Sequence, residues 1–137
     1  MGFIVDASVG AGWIIKNQVS EYSEAAKRAL LTDPVVAPAL WWLEMTNLLR
    51  TGCRRRTITA VEAQGFIKTL DALPIRIEPL ECNASELLGL ALRHDLSSYD
   101  AAYLDLALRL QLPLATQDAA LREAALASGV GVWKESA

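Results

Sequence analysis

Short apolar runs alternate with longer stretches of helical periodicity along this chain. Runs of β type lie at 3–5, 35–37, 75–78, 114–115 and 130–133. Apolar residues recur at helical spacing over 7–16, 21–31, 40–52, 59–72, 83–94, 98–111 and 118–128. Strands that alternate with helices predict βαβ units, and therefore an α/β fold in which helices cover both faces of a mainly parallel sheet. With 137 residues, we expect the chain to form a single domain over 1–137.

Several helix ends are predicted by their capping residues. Asn83, with Glu86 three positions later, indicates a variant of the capping box. Ser98 and Thr116 are expected to be the N-caps of the two helices that follow them. Gly52 is expected to end the helix over 40–52, because glycine is favoured just after the last helical turn.

Composition limits the classes of protein that this pattern allows. Hydrophobic residues make up 53% of the chain and the mean hydropathy is +0.24, which excludes a disordered chain. The net charge is −3, so no broad basic field indicates a nucleic-acid partner. The longest nearly apolar run, 35–43, is far shorter than the roughly twenty residues that cross a bilayer. Cys53 and Cys82 have no metal-binding spacing and favour two free thiols. We expect a soluble cytoplasmic protein without a membrane partner.

Acidic residues fall where the predicted fold would gather them. Asp6 ends the first strand, and Asp118 follows the strand at 114–115. In parallel α/β sheets, ligands bind beyond the carboxyl ends of the strands. Asp100 lies at the start of the helix over 98–111 and can join them if that helix crosses the same edge. Glu44 lies on the apolar stripe of its own helix, where no lysine or arginine stands three or four residues away.

Four such carboxylates, if they converge, need a compensating charge. Two like charges 5 Å apart repel by roughly 3 kcal/mol at an effective dielectric constant of 20. The cluster must therefore take up protons or bind a cation, and ligands that are all oxygen favour Mg²⁺ or Mn²⁺. Taken singly, Asp6, Asp100 and Asp118 are each explained better by helix capping, in which the acid complements the helix dipole. Only their convergence favours a metal site.

Asp105 provides a contrast on the same helix as Asp100. It lies roughly 140° around the helix from Asp100. Arg109 follows four residues later, in the order that favours an ion pair. Asp105 is therefore predicted to be a paired acid at the surface and not a direct metal ligand.

Four segments of the chain form an ordered set: VDASV at 5–9, WWLEMTNL at 41–48, SYDAAY at 98–103 and ATQDAAL at 115–121. Together they resemble PIN-domain nucleases, and most of all the VapC-type toxins of prokaryotic type II toxin–antitoxin systems. The resemblance extends over essentially the whole chain. It implies a three-layer α/β/α sandwich around a mainly parallel sheet of four to five strands. It also implies a Mg²⁺- or Mn²⁺-dependent endoribonuclease that forms a homodimer and is inhibited by a VapB-like antitoxin.

The resemblance also assigns roles to individual residues. It implies that the acids of the catalytic site are Asp6, Glu44, Asp100 and Asp118, with Asp6 and Asp100 as the most direct metal ligands. Ser8 and Thr116 occupy supporting hydroxyl positions, and Asn47 is a further supporting candidate one turn after Glu44. Asp105 departs from the family pattern, in which a small or apolar residue is ordinary. A minor supporting role for this residue stays open.

A cluster of arginines has two interpretations. The side chains of Arg50, Arg54, Arg55 and Arg56 form either a solvated helix end or a contact for RNA phosphates. The sequence favours neither.

Two other enzyme classes are excluded and two alternatives stay open. A receiver domain would need a second acid beside Asp6 and a lysine after a late strand. A haloacid-dehalogenase-type phosphatase would need an aspartate where Ser8 stands. His94 is the only histidine, which excludes chemistry that requires two. A PIN nuclease without a toxic role, and a catalytically silent PIN fold that binds or regulates, are the open alternatives.

Overall fold

A parallel sheet of four strands forms the centre of the molecule. The computed structural model describes residues 2–135. The strands are β1 (Phe3–Val5), β2 (Val35–Pro38), β3 (Ile75–Glu78) and β4 (Leu114–Ala115). They lie in the order β3-β2-β1-β4, and every pairing is parallel. The sheet therefore reverses its direction of growth between β1 and β4, which is where parallel α/β folds form their sites.

Within residues 2–135, seven helices flank the sheet and complete the predicted three-layer α/β/α sandwich. They are α1 (Ala7–Ala11), α2 (Glu21–Ala29), α3 (Leu40–Arg54), α4 (Ala60–Asp71), α5 (Ala84–His94), α6 (Ser98–Leu110) and α7 (Ala119–Ser128). A 3₁₀ turn at Lys16–Gln18 follows α1. Helix α6 packs against β1, β2 and β4. It thereby brings its first turn to the edge of the sheet where β1 and β4 end.

The core is built around β1, whose three residues are completely buried. Such a strand, buried on both faces, is expected to be continuously apolar, as Phe3-Ile4-Val5 is. Trp41, Met45 and Tyr103 are among the largest side chains that are completely buried. No helix within residues 2–135 is both long and apolar enough to cross a bilayer.

The predicted fifth strand is only a short extension of the sheet. Within 130–133, Val132 forms an isolated parallel bridge with Leu114. The Leu114 amide donates to the Gly131 carbonyl at 3.0 Å, and the Trp133 amide donates to the Leu114 carbonyl at 2.8 Å. The sheet therefore has four strands, at the lower limit of the prediction.

Helix α1 is much shorter than the predicted helix over 7–16, and tertiary packing explains the difference. A Cβ at Gly12 would lie 2.4 Å from the Ser23 hydroxyl oxygen, so α2 passes directly over the residue that ends α1. The Trp13 indole N–H donates to the Ser23 carbonyl at 2.8 Å, which fixes the chain as it leaves the helix. The hydrophobic periodicity of the sequence does not indicate a tertiary contact of this kind.

Helix α3 continues past Gly52, so the predicted C-cap is wrong. The helix ends at Arg54, and Arg56 adopts a left-handed conformation with φ of 59°. A Cβ at Gly52 would lie 3.1 Å from the side chain of Ile58. The glycine therefore allows the following segment to pack closely on the helix and does not end it.

The helix starts agree more closely with the sequence. Asn83 caps α5 and forms the predicted capping box with Glu86. Helix α6 is capped by Ser97 and not by Ser98, because the Ser97 hydroxyl is the one that accepts from the Asp100 amide. The expected cap at Ser98 is therefore displaced by one residue.

Candidate active site

Asp6 lies at the carboxyl end of β1 and is almost completely buried, with 4% of its surface exposed. Its Oδ1 accepts hydrogen bonds from the Ser8 hydroxyl at 2.7 Å and from the Val9 amide at 3.1 Å. Its Oδ2 accepts from the Thr116 hydroxyl. Asp6 is thus the N-cap of α1, as the capping interpretation proposed. Burial raises the pKa of Asp6 to about 6, even though these three hydrogen bonds lower it.

Two hydroxyl groups join the ends of β1 and β4 around Asp6. The Thr116 hydroxyl oxygen, which is fully buried, also accepts from the Asp118 amide at 3.1 Å. The Ser8 hydroxyl oxygen accepts from the Gln117 amide at 2.9 Å. Ser8 and Thr116 therefore hold the Asp6 carboxylate in one orientation and fix the turn that follows β4. Thr116 does not cap α7, contrary to expectation, because the helix begins at Ala119 and its N-cap is Asp118.

Asp118 is the residue that caps α7. Its Oδ2 accepts from the Leu121 amide at 2.9 Å, and the residue is exposed at the rim of the sheet. Asp100 is half-buried in the first turn of α6. Burial, followed by the negative charge of Asp118, raises the pKa of Asp100, whereas the Ser97 hydroxyl lowers it. The two carboxylates are therefore electrostatic neighbours.

Glu44 reaches the same region from α3. It is half-buried, and its Oε1 accepts a hydrogen bond from the Tyr103 hydroxyl at 2.5 Å. Burial raises the pKa of Glu44; the bond from Tyr103 lowers it and the charge of Asp100 raises it. Burial and the bond to Glu44 raise the pKa of Tyr103 well above its usual value. The sequence does not indicate the contact between Tyr103 and Glu44, because the two residues belong to different helices.

These four acids form an electrostatic cluster centred on Asp100. The charge of Asp100 raises the pKa of both Asp6 and Glu44, and Asp118 raises that of Asp100. The ion pairs within residues 2–135 all involve other acids, namely Glu78, Glu81, Asp105 and Glu135. Carboxylates that raise one another's pKa, and that form no ion pair within residues 2–135, favour the binding of protons or of a cation.

The acids do not form a ready-made cage. In the described part of the chain, no three His, Cys, Asp or Glu side chains are placed to hold one ion together. The hydrogen bonds explain why, since Asp118 is turned towards the start of α7 and Glu44 towards Tyr103. The donor chemistry nevertheless fits a hard divalent cation, because every candidate ligand is a carboxylate oxygen and none of the four acids is ion-paired in the described part of the chain.

Asp105 is separate from this cluster. Its Oδ2 accepts from Arg109 at 2.7 Å, which confirms the predicted ion pair. Arg109 also contacts Glu81 at 3.2 Å. The arginine therefore joins α6 to the segment before α5 and neutralises the charge of Asp105.

A cleft of about 350 Å³ opens beside Glu44, between the start of the chain and α3. Asn47 is exposed on its wall, one turn after Glu44, together with Ser8 and Gln18. Asn47 is thus placed beside the acids, although no hydrogen bond joins it to them within residues 2–135. The cleft itself was not foreseen, because it depends on the turn that follows the shortened α1.

The four arginines are exposed around the carboxyl end of α3. Arg50, Arg54 and Arg55 line a depression of about 310 Å³. Arg54 follows Glu44 by ten residues on the same helix, which corresponds to about 15 Å along its axis. The arginines therefore do not neutralise the acids directly, and they take part in none of the ion pairs within residues 2–135.

Comparisons with known proteins identify the family. The chain resembles the crystal structure of PAE2754 from Pyrobaculum aerophilum, with a TM-score of 0.70 and 22% sequence identity over 90% of this chain and 79% of that one. This likeness supports the fold. No curated protein matched significantly. The model of the PIN domain family matches residues 3–126, which include all four clustered acids. The chain therefore belongs to the PIN domain family, whose members are generally nucleases that depend on a divalent metal ion.

Proposed function

We propose that this protein is a Mg²⁺- or Mn²⁺-dependent endoribonuclease and the toxic component of a type II toxin–antitoxin system. The observation that carries the nuclease proposal is the cluster of four carboxylates where β1 and β4 end, none of which forms an ion pair within residues 2–135. Asp6 and Asp100 are proposed as the most direct ligands, as the resemblance to PIN-domain nucleases implies, and the charge of Asp100 raises the pKa of Asp6. Glu44 and Asp118 complete the set. A divalent cation bound there would supply positive charge for the phosphate and lower the pKa of a water molecule.

The residues of the chain have distinct parts in the proposed hydrolysis. Asp6, whose orientation is set by Ser8 and Thr116, provides a fixed negative charge at the base of the site. Glu44 or Asp118 orients the attacking water and accepts its proton. The water oxygen bonds to phosphorus, the bond from phosphorus to O3′ breaks, and O3′ takes up a proton. The products carry 5′-phosphate and 3′-hydroxyl ends, and the ribose 2′-hydroxyl is not the nucleophile.

RNA is proposed to reach the acids along α3. The cleft beside Glu44 shares Ile15, Gln18 and Leu48 with a second cleft of about 600 Å³. Lys16 and Arg55 line this second cleft. The two clefts thus lead from the carboxylates to the exposed arginines, which would contact phosphates and offset the negative net charge of the chain.

The proposal is tested by RNA cleavage under three conditions. Cleavage is expected with Mg²⁺, and it should stop with EDTA or when Asp100→Asn removes one carboxylate charge. Asp105→Asn is the matched control, because it makes the same change five residues later on the same helix, outside the cluster. Equal activity of the Asp100 variant and the native protein would refute the assignment of the site. Products ending in a 2′,3′-cyclic phosphate would refute the attack by water.

The toxic role rests on the resemblance of the four sequence segments to VapC-type toxins. We expect the protein to act in the cytoplasm and its expression to arrest cell growth. Asp100→Asn should abolish this arrest. A short neighbouring reading frame that encodes a VapB-like antitoxin should restore growth and copurify with the chain, which we expect to be a homodimer. Cleavage in vitro without growth arrest would favour a PIN nuclease of RNA processing. Absence of both would favour a silent binding module.

A further inference from the structure

Glu44 differs from Asp6 and Asp118 because its only hydrogen-bond donor within residues 2–135 is a side chain of another helix. Asp6 accepts from two hydroxyls and an amide, and Asp118 accepts from the amide of Leu121. Glu44 has a longer side chain with more rotamers to lose, and within residues 2–135 it has a single hydrogen-bond donor, the Tyr103 hydroxyl. The orientation of this carboxylate therefore depends on one contact.

The donor itself is rigidly placed. Tyr103 is 1% exposed and lies in the hydrophobic core, so its ring cannot follow a moving carboxylate. The distance of 2.5 Å between its hydroxyl oxygen and Glu44 Oε1 is in the range of O–H···O bonds to an ionised acceptor. Tyr103 also stands one turn after Asp100 on α6, whereas Glu44 belongs to α3. The bond thus joins the two helices that each contribute one of the clustered acids.

We propose that Tyr103 is a positioning residue, which holds Glu44 by Oε1 and leaves Oε2 as the oxygen that meets the cation or the attacking water. This inference rests on the proposed function, in which the Glu44 carboxylate meets the cation or the attacking water. Tyr103 does not touch the reacting atoms and acts through Glu44. Outer groups that orient a metal-binding carboxylate typically alter metal affinity by about ten- to a hundredfold when they are removed.

The test measures Mn²⁺ affinity by electron paramagnetic resonance, without RNA, in Tyr103→Phe, Glu44→Ala and the double variant. Phenylalanine keeps the buried ring and removes only the hydroxyl. We expect Tyr103→Phe to weaken Mn²⁺ binding about tenfold and Glu44→Ala to weaken it at least as much. The double variant should bind no more weakly than Glu44→Ala, because no carboxylate is left to position. With RNA, the apparent KM for the metal should rise in Tyr103→Phe.

Tyr22→Phe is the matched control for a merely structural hydroxyl. The Tyr22 hydroxyl donates to the Trp133 carbonyl at 2.6 Å, so its loss removes a tertiary hydrogen bond that does not involve a carboxylate. Thermal unfolding in EDTA should show that both tyrosine variants are folded. In the separate Mn²⁺ titration, the affinity should be weakened only in Tyr103→Phe. Glu44→Asp tests the same hydrogen bond by changing its acceptor. This variant keeps the negative charge but shortens the side chain, so it should also weaken Mn²⁺ binding.

The possible outcomes separate the two proposals. Native Mn²⁺ affinity in both Tyr103→Phe and Glu44→Asp, together with a loss in Glu44→Ala, would overturn the positioning role and leave the proposed site intact. Additive losses in the double variant would also overturn it, because Tyr103 would then act independently of Glu44. Native affinity in Glu44→Ala would instead remove Glu44 from the proposed site.

Discussion

Thr116 donates its hydroxyl hydrogen to Asp6 Oδ2, and this bond joins the ends of β4 and β1 across 110 residues of sequence. Both residues are buried, so water does not replace the bond when it is broken. The same hydroxyl oxygen accepts from the Asp118 amide. One side chain therefore orients a proposed metal ligand and fixes the turn that carries another.

Thr116→Val, which keeps the shape and removes the hydroxyl, is expected to lower the free energy of unfolding by about 2 kcal/mol at pH 7.5. The loss should be smaller at pH 5, because burial raises the pKa of Asp6 to about 6 and the protonated carboxyl accepts more weakly. Urea unfolding in EDTA at the two pH values measures both effects. Thr69→Val is the control, since its exposed hydroxyl contacts only the Gly65 carbonyl in its own helix. Equal losses at both sites would contradict the interpretation.

The pKa of Asp6 also predicts how stability changes with pH. Its value rises from 3.8 to about 6 on folding, so the folded chain binds more protons than the unfolded chain between these values. The contribution of Asp6 to the free energy of unfolding is therefore largest at low pH. It decreases by about 3 kcal/mol at most as the pH rises from about 4 to 6.

Urea unfolding across pH 4 to 8 in EDTA, compared with Asp6→Asn, isolates this contribution. The difference between the two proteins should change in favour of the variant as the pH rises. Mg²⁺ binds the ionised carboxylate, so it should restore stability to the native protein above pH 6 and have little effect on the variant. A difference that stays constant from pH 4 to 8 would contradict the raised pKa.

The parts of this site that follow from local sequence were predictable. Asp6 and Asp118 follow short apolar strands, and parallel strands bring their carboxyl ends to one edge. The Asp105–Arg109 pair follows from helical spacing alone. In each case the relevant neighbours are either close in sequence or joined by a regular sheet.

Contacts between elements that pack at irregular angles were not predictable. The bond from Tyr103 to Glu44 depends on how α6 lies against α3, which no spacing within either helix specifies. Helix α1 ends early because Ser23 passes over Gly12. The hydrophobic periodicity of the sequence therefore predicted a helix that was too long. The orientations of the Glu44 and Asp118 carboxylates were not predictable for the same reason. The sequence therefore could not show that the acids within residues 2–135 do not form a ready-made metal cage.

Asp118 allows capping and catalysis to be separated. Asparagine caps helices as well as aspartate, so Asp118→Asn should keep the free energy of unfolding within about 0.5 kcal/mol, whereas Asp118→Ala should lose about 1 kcal/mol. Both variants remove the carboxylate charge and are expected to cleave RNA far more slowly. Chemical unfolding and a Mg²⁺-dependent cleavage assay on the same preparations test this. Native cleavage by the stable Asn variant would show that Asp118 only caps α7.

The arginines at the end of α3 provide a prediction about RNA binding that does not depend on catalysis. Their side chains are exposed and belong to none of the ion pairs within residues 2–135, so they are free to contact phosphates. Replacing Arg54, Arg55 and Arg56 by Gln in the Asp100→Asn background should weaken binding of single-stranded RNA. The slope of log K against log salt should decrease by about 0.7 for each phosphate that the variant no longer binds.

Fluorescence anisotropy at several salt concentrations measures the affinity and the slope together. The control variants Arg93→Gln, Arg76→Gln and Lys68→Gln are combined in one protein, because together they remove three exposed positive charges, from α5, β3 and α4, and so match the change in net charge. If this control protein weakens binding as much as the triple variant, the effect comes from net charge and not from phosphate binding at α3. Unchanged affinity and slope in the triple variant would leave the arginines as a solvated helix end.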